Sequence, residues 1–280
     1  MAIGSERAGG PRYLASARRS VLVRMIDQRG HIAVSEMATE LNVSEMTIRR
    51  DLDHLAGAGL VSRDHGGATA IAPKSGVDRD EPAFELRGRR QADAKATIAR
   101  AAARLVKPGQ TIGLDTGSTT HRFAEELLPV AGLRIFSSNL RTAGMLAAGA
   151  SPVYLLGGHV RPRELSVCGP VASAQLRALW LDTVFIGIAG LTEQGGSDYS
   201  LEDGEIKRVY IERASQVVVL CDSSKLDRRA LVLVAQLGEI DTLVIEARPT
   251  GLLADALGRA EVRVVVAGET DGAQGDRRGL

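Results

Sequence analysis

The sequence predicts two domains of different class: an N-terminal α+β unit that is mostly α, then a larger α/β domain with a mostly parallel sheet. Three observations carry this expectation. Residues 35–71 hold two short helical patterns joined by the tight turn Asn42-Val43-Ser44 and followed by a glycine-bearing hairpin signal, the layout of a winged helix-turn-helix. From Thr111 onward short apolar runs alternate with helical stretches, as in a parallel sheet covered on both faces. Between them, residues 72–90 collect Pro73, Gly76, Pro82 and a crowd of charges, which reads as a linker. The expected boundaries are a flexible arm over 1–15, the small domain over 16–72, the linker over 73–90, the large domain over 91–266 and a flexible tail over 267–280.

Taken in order, the Gly-, Ala- and Arg-rich start reads as a loose arm. A helix is expected from about Ser16 to Arg29, with Val21, Leu22, Met25 and Ile26 inward and Gly30 ending it. His31–Val34 is a short extended piece, and His31 has no partner residues for a metal site. The first helix of the pair runs from Ser35 to Leu41 and packs through Met37 and Leu41. Ser44 can cap the second, since a serine oxygen accepts the free amides of a first turn. Ile48, Leu52 and Leu55 then form one buried stripe. Glu45, Thr47, Arg49 and Arg50 are left on other faces, where an arginine fork can meet guanine edges or phosphates. An arginine pair alone is equally an ordinary solvated helix face. Leu60–Arg63 and Ala68–Ile71 flank Asp64-His65-Gly66-Gly67 as a wing, which puts Arg63 and His65 where a wing meets a sugar-phosphate backbone.

The segment VSEMTIRRDLDHLAGAGLVSRDHGGA closely resembles the DNA-binding signature of the DeoR family of bacterial repressors. The resemblance implies that Ser44, Glu45, Thr47, Arg49, Arg50, Arg63 and His65 face double-stranded operator DNA.

A helix through GRRQADAKATIARAAARLV opens the large domain, with Lys95 its notable polar residue, and Pro108-Gly109 stop it. Phe84 is expected to dock on this domain. Candidate strands are Thr111–Leu114, Leu133–Phe136, Val153–Leu156, Thr183–Ile188, Gln216–Leu220, Leu231–Val234, Thr242–Ile245 and Val262–Val266. Helices are expected over Thr119–Leu128, Leu140–Ala148, Pro170–Leu179, Gly204–Ala214 and Leu252–Arg259. In such sheets ligands bind beyond the carboxyl ends of the strands. The first strand is followed by Asp115-Thr116-Gly117-Ser118-Thr119-Thr120. Small hydroxyls beside a glycine at a helix start suit a phosphate, because outward amides and the helix dipole favour an anion. They suit a plain N-cap equally well. No lysine completes a Walker loop. Later strands run into Ser137-Ser138-Asn139, Gly157-Gly158, Gly187 with Gly190, and Cys221-Asp222-Ser223-Ser224-Lys225. Several strand ends thus converge on a polar small-molecule pocket.

This region is similar to the DeoR family's effector domain, itself akin in fold to ribose-5-phosphate isomerase and the coenzyme A transferases. The matching pieces are DTGSTT, SSN, GGHVRPRELSVCG, DTVFIGIAGLTEQGG, EIKR and CDSSK. The resemblance implies a winged helix-turn-helix joined to an isomerase/CoA-transferase-like sensor. In it Gly117, Ser118, Thr119 and Thr120 cradle a sugar phosphate and Lys225 pairs with its charge. Asp115 and Glu205 become candidates for sugar hydroxyls, and Asn139 and Gly158 join them from the strand ends. Arg161 and Lys207 are further candidate anion partners, or solvated charges. Ser138 stands where the family more often has threonine.

Aldose–ketose isomerisation needs a base beside the reacting carbon. The isomerases resembled place paired aspartates after the strand matching Thr183–Ile188, and here that place reads Phe185-Ile186-Gly187-Ile188-Ala189-Gly190. Glu202 and Asp203 read as surface charges at a helix start. The expectation is therefore a ligand-gated regulator and not an enzyme, with no cofactor beyond a sugar-phosphate effector. The formal net charge is only +1, so bulk charge does not predict nucleic-acid binding and a local patch must carry it. Cys168 and Cys221 are far apart in the chain, which suggests a reduced, cytoplasmic setting. No uncharged stretch is long enough to cross a bilayer. A homo-oligomer is expected, because helix-turn-helix readers work in pairs on operator half-sites.

Overall fold

The computed structural model describes residues 15–29, 31–57, 60–63, 66–69 and 77–269. The chain divides into two units, residues 1–74 and 75–280. The first contains α1 (Ala15–Arg29), β1 (His31–Ala33), α2 (Val34–Glu40), α3 (Glu45–Gly57), β2 (Ser62–Arg63) and β3 (Gly67–Thr69). Leu22 and Ile26 of α1, Met37 of α2 and Ile48, Leu52 and Leu55 of α3 share one apolar core. The three α3 residues fall at i, i+4 and i+7, so a single stripe of the helix is buried. β3 pairs antiparallel with both β2 and β1. The extended piece before α2 is therefore a third strand of the wing sheet, which local pattern did not show because pairing partners lie far apart in sequence. The expected arm through residue 14, the wing residues Asp64 and His65, and the tail from residue 270 lie outside the described residues.

In the second unit, α4 (Phe84–Arg89) and α5 (Ala92–Ala103) lead into β4 (Thr111–Leu114), α6 (Ser118–Glu126), β5 (Arg134–Ser137), α7 (Leu140–Leu146) and β6 (Val153–Leu155). A hairpin of β7 (His159–Val160) and β8 (Val167–Cys168) precedes α8 (Pro170–Arg177) and β9 (Thr183–Gly187). Then come β10 (Gly190–Thr192), β11 (Gly195–Asp198), α9 (Leu201–Arg213), β12 (Val217–Leu220), β13 (Val232–Ala235), β14 (Thr242–Ile245), α10 (Gly251–Arg259) and β15 (Arg263–Val266). Seven strands form one sheet in the order β15-β14-β12-β9-β4-β5-β6, and every neighbouring pair is parallel. Strand residues alternate between its two faces, as a pleated strand requires. Val184, Ile186, Val219, Leu243 and Ile245 join the core under α8, α9 and α10. Phe185, Val218, Leu220 and Val244 join the core under α5, α6 and α7.

Two expectations need correction. Leu231–Val234 is not a strand of the parallel sheet: β13 pairs antiparallel with β11, and β11 with β10, in a separate three-stranded sheet. Its apolar run is only half-buried, with Leu231 and Leu233 exposed, and a continuous apolar run does not by itself tell a buried strand from a half-exposed one. Nor is the described part of the expected linker solvated chain. Residues 77–90 include α4, and Asp78, Glu81 and Arg87 each pair with charged side chains elsewhere in this unit. Phe84 does dock as expected, edge-on to His121 with the Arg141 guanidinium 3.9 Å above its ring.

The strand order places a switch point between β4 and β9. Chain connections leave β4 toward β5 and β6, and leave β9 toward β12, β14 and β15, which opens a crevice at the carboxyl ends of these two strands. At the centre of β4, Gly113 lies against the buried ring of Tyr210, and a Cβ there would stand 2.7 Å from Tyr210 Cε1. Gly113→Ala is expected to destabilise the sensor unit by about 1–3 kcal/mol through overpacking, read as a lower denaturant midpoint with an unchanged m-value; an unchanged midpoint would contradict the packing described.

Candidate functional site

The reader is α3. Ser44 caps it: its Oγ accepts the Thr47 amide at 3.3 Å and lies 2.9 Å from Thr47 Oγ1. Capping fixes where the helix starts, and so which side chains turn outward. Ser44, Glu45, Met46 and Arg50 are exposed, and Thr47 and Arg49 are half-buried. Arg49 pairs with Glu45 at 3.3 Å one turn back. Arg50 has no ion-pair partner among the described residues. Arg63 on β2 is engaged by Asp53 of α3, which ties the wing to the reader. Sequence reasoning passed over Asp51. It is buried and takes ion pairs from Arg18 Nε at 2.5 Å and Arg19 Nε at 3.5 Å, clamping α1 to α3. Its signal was an acid three residues after Ile48, on the buried stripe. It also passed over Met46, whose side chain is 62% exposed among the outward residues of the first turn.

The second site is the crevice at the switch point. Thr116, Gly117, Ser118 and Thr119 line it after β4, and Gly187, Ile188 and Ala189 line it after β9. Helix α6 starts here with Gly117 at its N-cap and no side-chain cap, so its first-turn amides have no capping side chain and the helix dipole is directed at the crevice. The carboxylate nearest in sequence, Asp115, turns inward to Lys207 and Thr120 Oγ1. Three cations also line the crevice: Lys95, Lys225 and Arg87. Lys95 Nζ donates to the carbonyls of Arg87 and Arg90 and sits 3.9 Å from Asp222. Burial lowers its pKa to about 8, opposed by Asp222 and reinforced by repulsion from Lys225. Burial lowers that of Lys225 as well, and the Lys225 ammonium has no hydrogen-bond or ion-pair partner among the described residues. Asp198, Asp203, Tyr199 and Glu81 complete the lining. Burial raises the Asp203 carboxyl, opposed by Arg161, and raises the Tyr199 hydroxyl to about 12, with Asp78 adding to it.

The structure brings Gly117, Ser118, Thr119 and Lys225 together and separates the other expected residues from the crevice lining. Lys207 is neither a free anion partner nor a solvated charge. It is 1% exposed, touches Asp115, lies 3.1 Å from Asp198 and donates to Gly187 O at 2.9 Å. Its position was legible in part: Asp203, Ile206, Lys207 and Tyr210 follow the i, i+3, i+4, i+7 stripe, and all four are buried. The same stripe corrects Asp203, read from sequence as a surface charge; it is buried and paired with Arg161. Arg161 in turn is held by Asp203 and Glu81. Asp115 and Thr120 are buried behind the loop, and Asn139 Nδ2 donates to Thr116 Oγ1 at 2.9 Å, so it orients the loop from outside. Glu205 lies on the exposed side of α9 and accepts from Ser173, and Gly158 is exposed in the β7 hairpin. Glu205 was taken from a motif match and Gly158 from its place after a strand, and neither signal reports which way a residue faces.

Arg50→Ala is expected to weaken operator binding by about 1–3 kcal/mol, roughly 5- to 150-fold, while thermal unfolding stays as in the parent. Arg49→Ala should act in the same direction. Gel-shift affinity unchanged in both variants would remove α3 as the reader.

Comparison with known proteins finds the same two parts. The DeoR-like helix-turn-helix domain matches residues 18–74, and the DeoR C terminal sensor domain matches residues 90–247. The chain is 30% identical over 234 residues to the glycerol-3-phosphate regulon repressor of Escherichia coli (strain K12), covering 83% of this chain and 91% of that protein. It is 30% identical over 256 residues to the HTH-type transcriptional repressor GlcR of Bacillus subtilis (strain 168), covering 91% and 97%. Ribose 5-phosphate isomerase A from Methanocaldococcus jannaschii is a looser likeness, with a TM-score of 0.37 at 24% identity over 49% of this chain and 55% of that one, too low to bear on activity. Both matched domains are those of a regulator and not of an enzyme. With a reader and a sensor that each match across most of their length, this chain belongs to the DeoR family of DNA-binding transcriptional regulators.

Proposed function

We propose that the protein represses genes of carbohydrate metabolism and that a phosphorylated sugar in the crevice releases it from DNA. The observation that carries this is the charge layout of the crevice. An uncapped helix start and two partly desolvated ammoniums, Lys95 and Lys225, lie near one carboxylate, Asp222. The other lining acids are already held, Glu81 and Asp203 by Arg161 and Asp198 by Lys207, so the two ammoniums are short of negative charge, and a phosphoryl dianion supplies it. The acids Glu81, Asp198 and Asp203 offer acceptors for sugar hydroxyls. The names of the relatives, a glycerol-3-phosphate regulon repressor and a transcriptional repressor, point the same way.

In this reading the protein acts in the cytoplasm as a homo-oligomer. Two subunits set two α3 helices into successive major grooves about 34 Å apart. The effector shifts the balance between arrangements that fit the operator and arrangements that do not, and a coupling of about 1–3 kcal/mol changes occupancy roughly 5- to 150-fold. Among the described residues, no helix is long and apolar enough to cross a membrane.

A thermal-shift screen of phosphorylated sugars tests the proposal, because a ligand that binds only the folded state raises the midpoint. Lys225→Ala is expected to weaken the stabilising compound by about 1.5–3 kcal/mol, the range of a charge-assisted hydrogen bond, and to stay on DNA at effector levels that release the parent. Equal affinity by calorimetry would misplace the pocket. The pH dependence has a definite sign. Lys95 carries its charge below about 8 and loses it above, so affinity for a phosphate should fall as pH rises from 7 to 9, and Lys95→Met should flatten that fall. A parent affinity that is level across this interval would take Lys95 out of the site.

A further inference from the structure

Residues 77–91 connect the reader to the sensor in sequence, and within the sensor unit they are strapped down at both ends. At the start, the Asp78 amide donates to Arg229 O at 2.8 Å, and the Asp78 carboxylate accepts from Tyr199 Oη at 3.1 Å and from Arg228 at 2.6 Å. At the end, Lys95 Nζ donates to Arg87 O in the last turn of α4 and to Arg90 O at its C-cap. In between, Glu81 accepts from Arg87 at 2.6 Å and from Arg161 at 2.8 Å, and Arg87 also pairs with Glu164. Three residues of this arrangement, Glu81, Arg87 and Lys95, line the crevice.

We infer that this strap is one wall of the effector site, and that a phosphoryl group bound there clasps it through Arg87 and Lys95. The inference rests on the phosphate reading above. An ammonium has three donors and a guanidinium five. Two donors of Lys95 go to the strap carbonyls, and one is left for a ligand. A bound dianion therefore adds a bridge between the helix α6 start and the strap without taking away the contacts that hold the strap. It also keeps Lys95 protonated, and a charged donor makes the stronger hydrogen bonds to the Arg87 and Arg90 carbonyls. Occupancy thus favours the docked strap.

The consequence for DNA binding follows from chain length. Undocked, residues 78–91 add fourteen residues of free chain between the domains, with a reach of up to roughly 46 Å at about 3.3 Å per residue. Docked, they add none. The effective concentration of one reader at its half-site depends steeply on tether length, so the strap is a means by which a filled crevice changes operator occupancy.

Hydrogen exchange on the full-length protein tests this, with inorganic phosphate as the probe and its binding measured in parallel by calorimetry. Phosphate is expected to slow exchange of amides 84–91 by about threefold or more, and Lys225→Ala should lose both the binding and the slowing. Asp78→Asn gives a second, signed readout. It removes a negative charge near the crevice, which by electrostatics alone raises phosphate affinity. It also loosens the strap, which by reciprocal coupling lowers that affinity, here by about threefold. Lower affinity supports the clasp. Phosphate that binds while exchange over 78–91 is unchanged or faster, or an Asp78→Asn affinity at or above the parent's, overturns the clasp and leaves the phosphate site standing. Absence of binding by phosphate and by every phosphorylated sugar in the thermal screen overturns both.

Discussion

The sensor domain is built around the buried ammonium of Lys207. It comes from α9 and meets Asp115 after β4, Gly187 O at the end of β9 and Asp198 at the end of β11. Burial would lower its pKa, but the attraction of Asp115 and Asp198 outweighs this and holds it above the ordinary lysine range. A charge this deep persists only where paired and hydrogen-bonded. Helix α9 and the three segments that satisfy its ammonium are therefore fixed relative to one another at the switch point of the sheet. Because Gly117 stands at the N-cap and Asp115 is held by Lys207, no side chain caps α6, and the helix start is left to face the crevice.

A comparable device orders the reader. Asp51 is directed inward and takes Arg18 and Arg19 from α1, while its neighbour Arg50 is exposed. One turn of helix thus carries both the clamp and the contact surface. Of the described arginines of this unit, Arg18, Arg19, Arg29, Arg49 and Arg63 are engaged by carboxylates, whereas Arg50 is exposed without an ion-pair partner.

The crevice combines opposed charges without cancelling them. Lys95, Lys225 and Arg87 come from α5, the turn after β12 and the strap, whereas Asp198 and Asp203 come from β11 and α9. Repulsion from Lys225 and Arg87 lowers the pKa of Lys95, Arg87 also lowers that of Lys225, and Asp198 raises that of Asp203. A ligand with a phosphate at one end and hydroxyls at the other matches that division, and the strap that supplies Glu81 and Arg87 leads back to the reader.

Period and punctuation alone determined much of this protein: the helix pair and its serine cap, the buried stripe Ile48-Leu52-Leu55, the alternating α/β order, and the loop Gly117–Thr119 at a strand end. Each of these is set by residues within a few positions of one another, so local sequence holds the information. The rest depended on contacts across long separations. Only tertiary structure decided that the apolar run Leu231–Val234 stays out of the main sheet, since Val232–Ala235 pairs with β11 instead; that Glu81 and Arg87 belong to the crevice; that Lys207 and Asp203 are buried; and that Glu205 points away. Charged residues were the ones misjudged, because the same Lys or Asp is a surface group or an internal tie according to whether a partner from a distant segment arrives to offset its desolvation, and a single chain read in order does not display that partner.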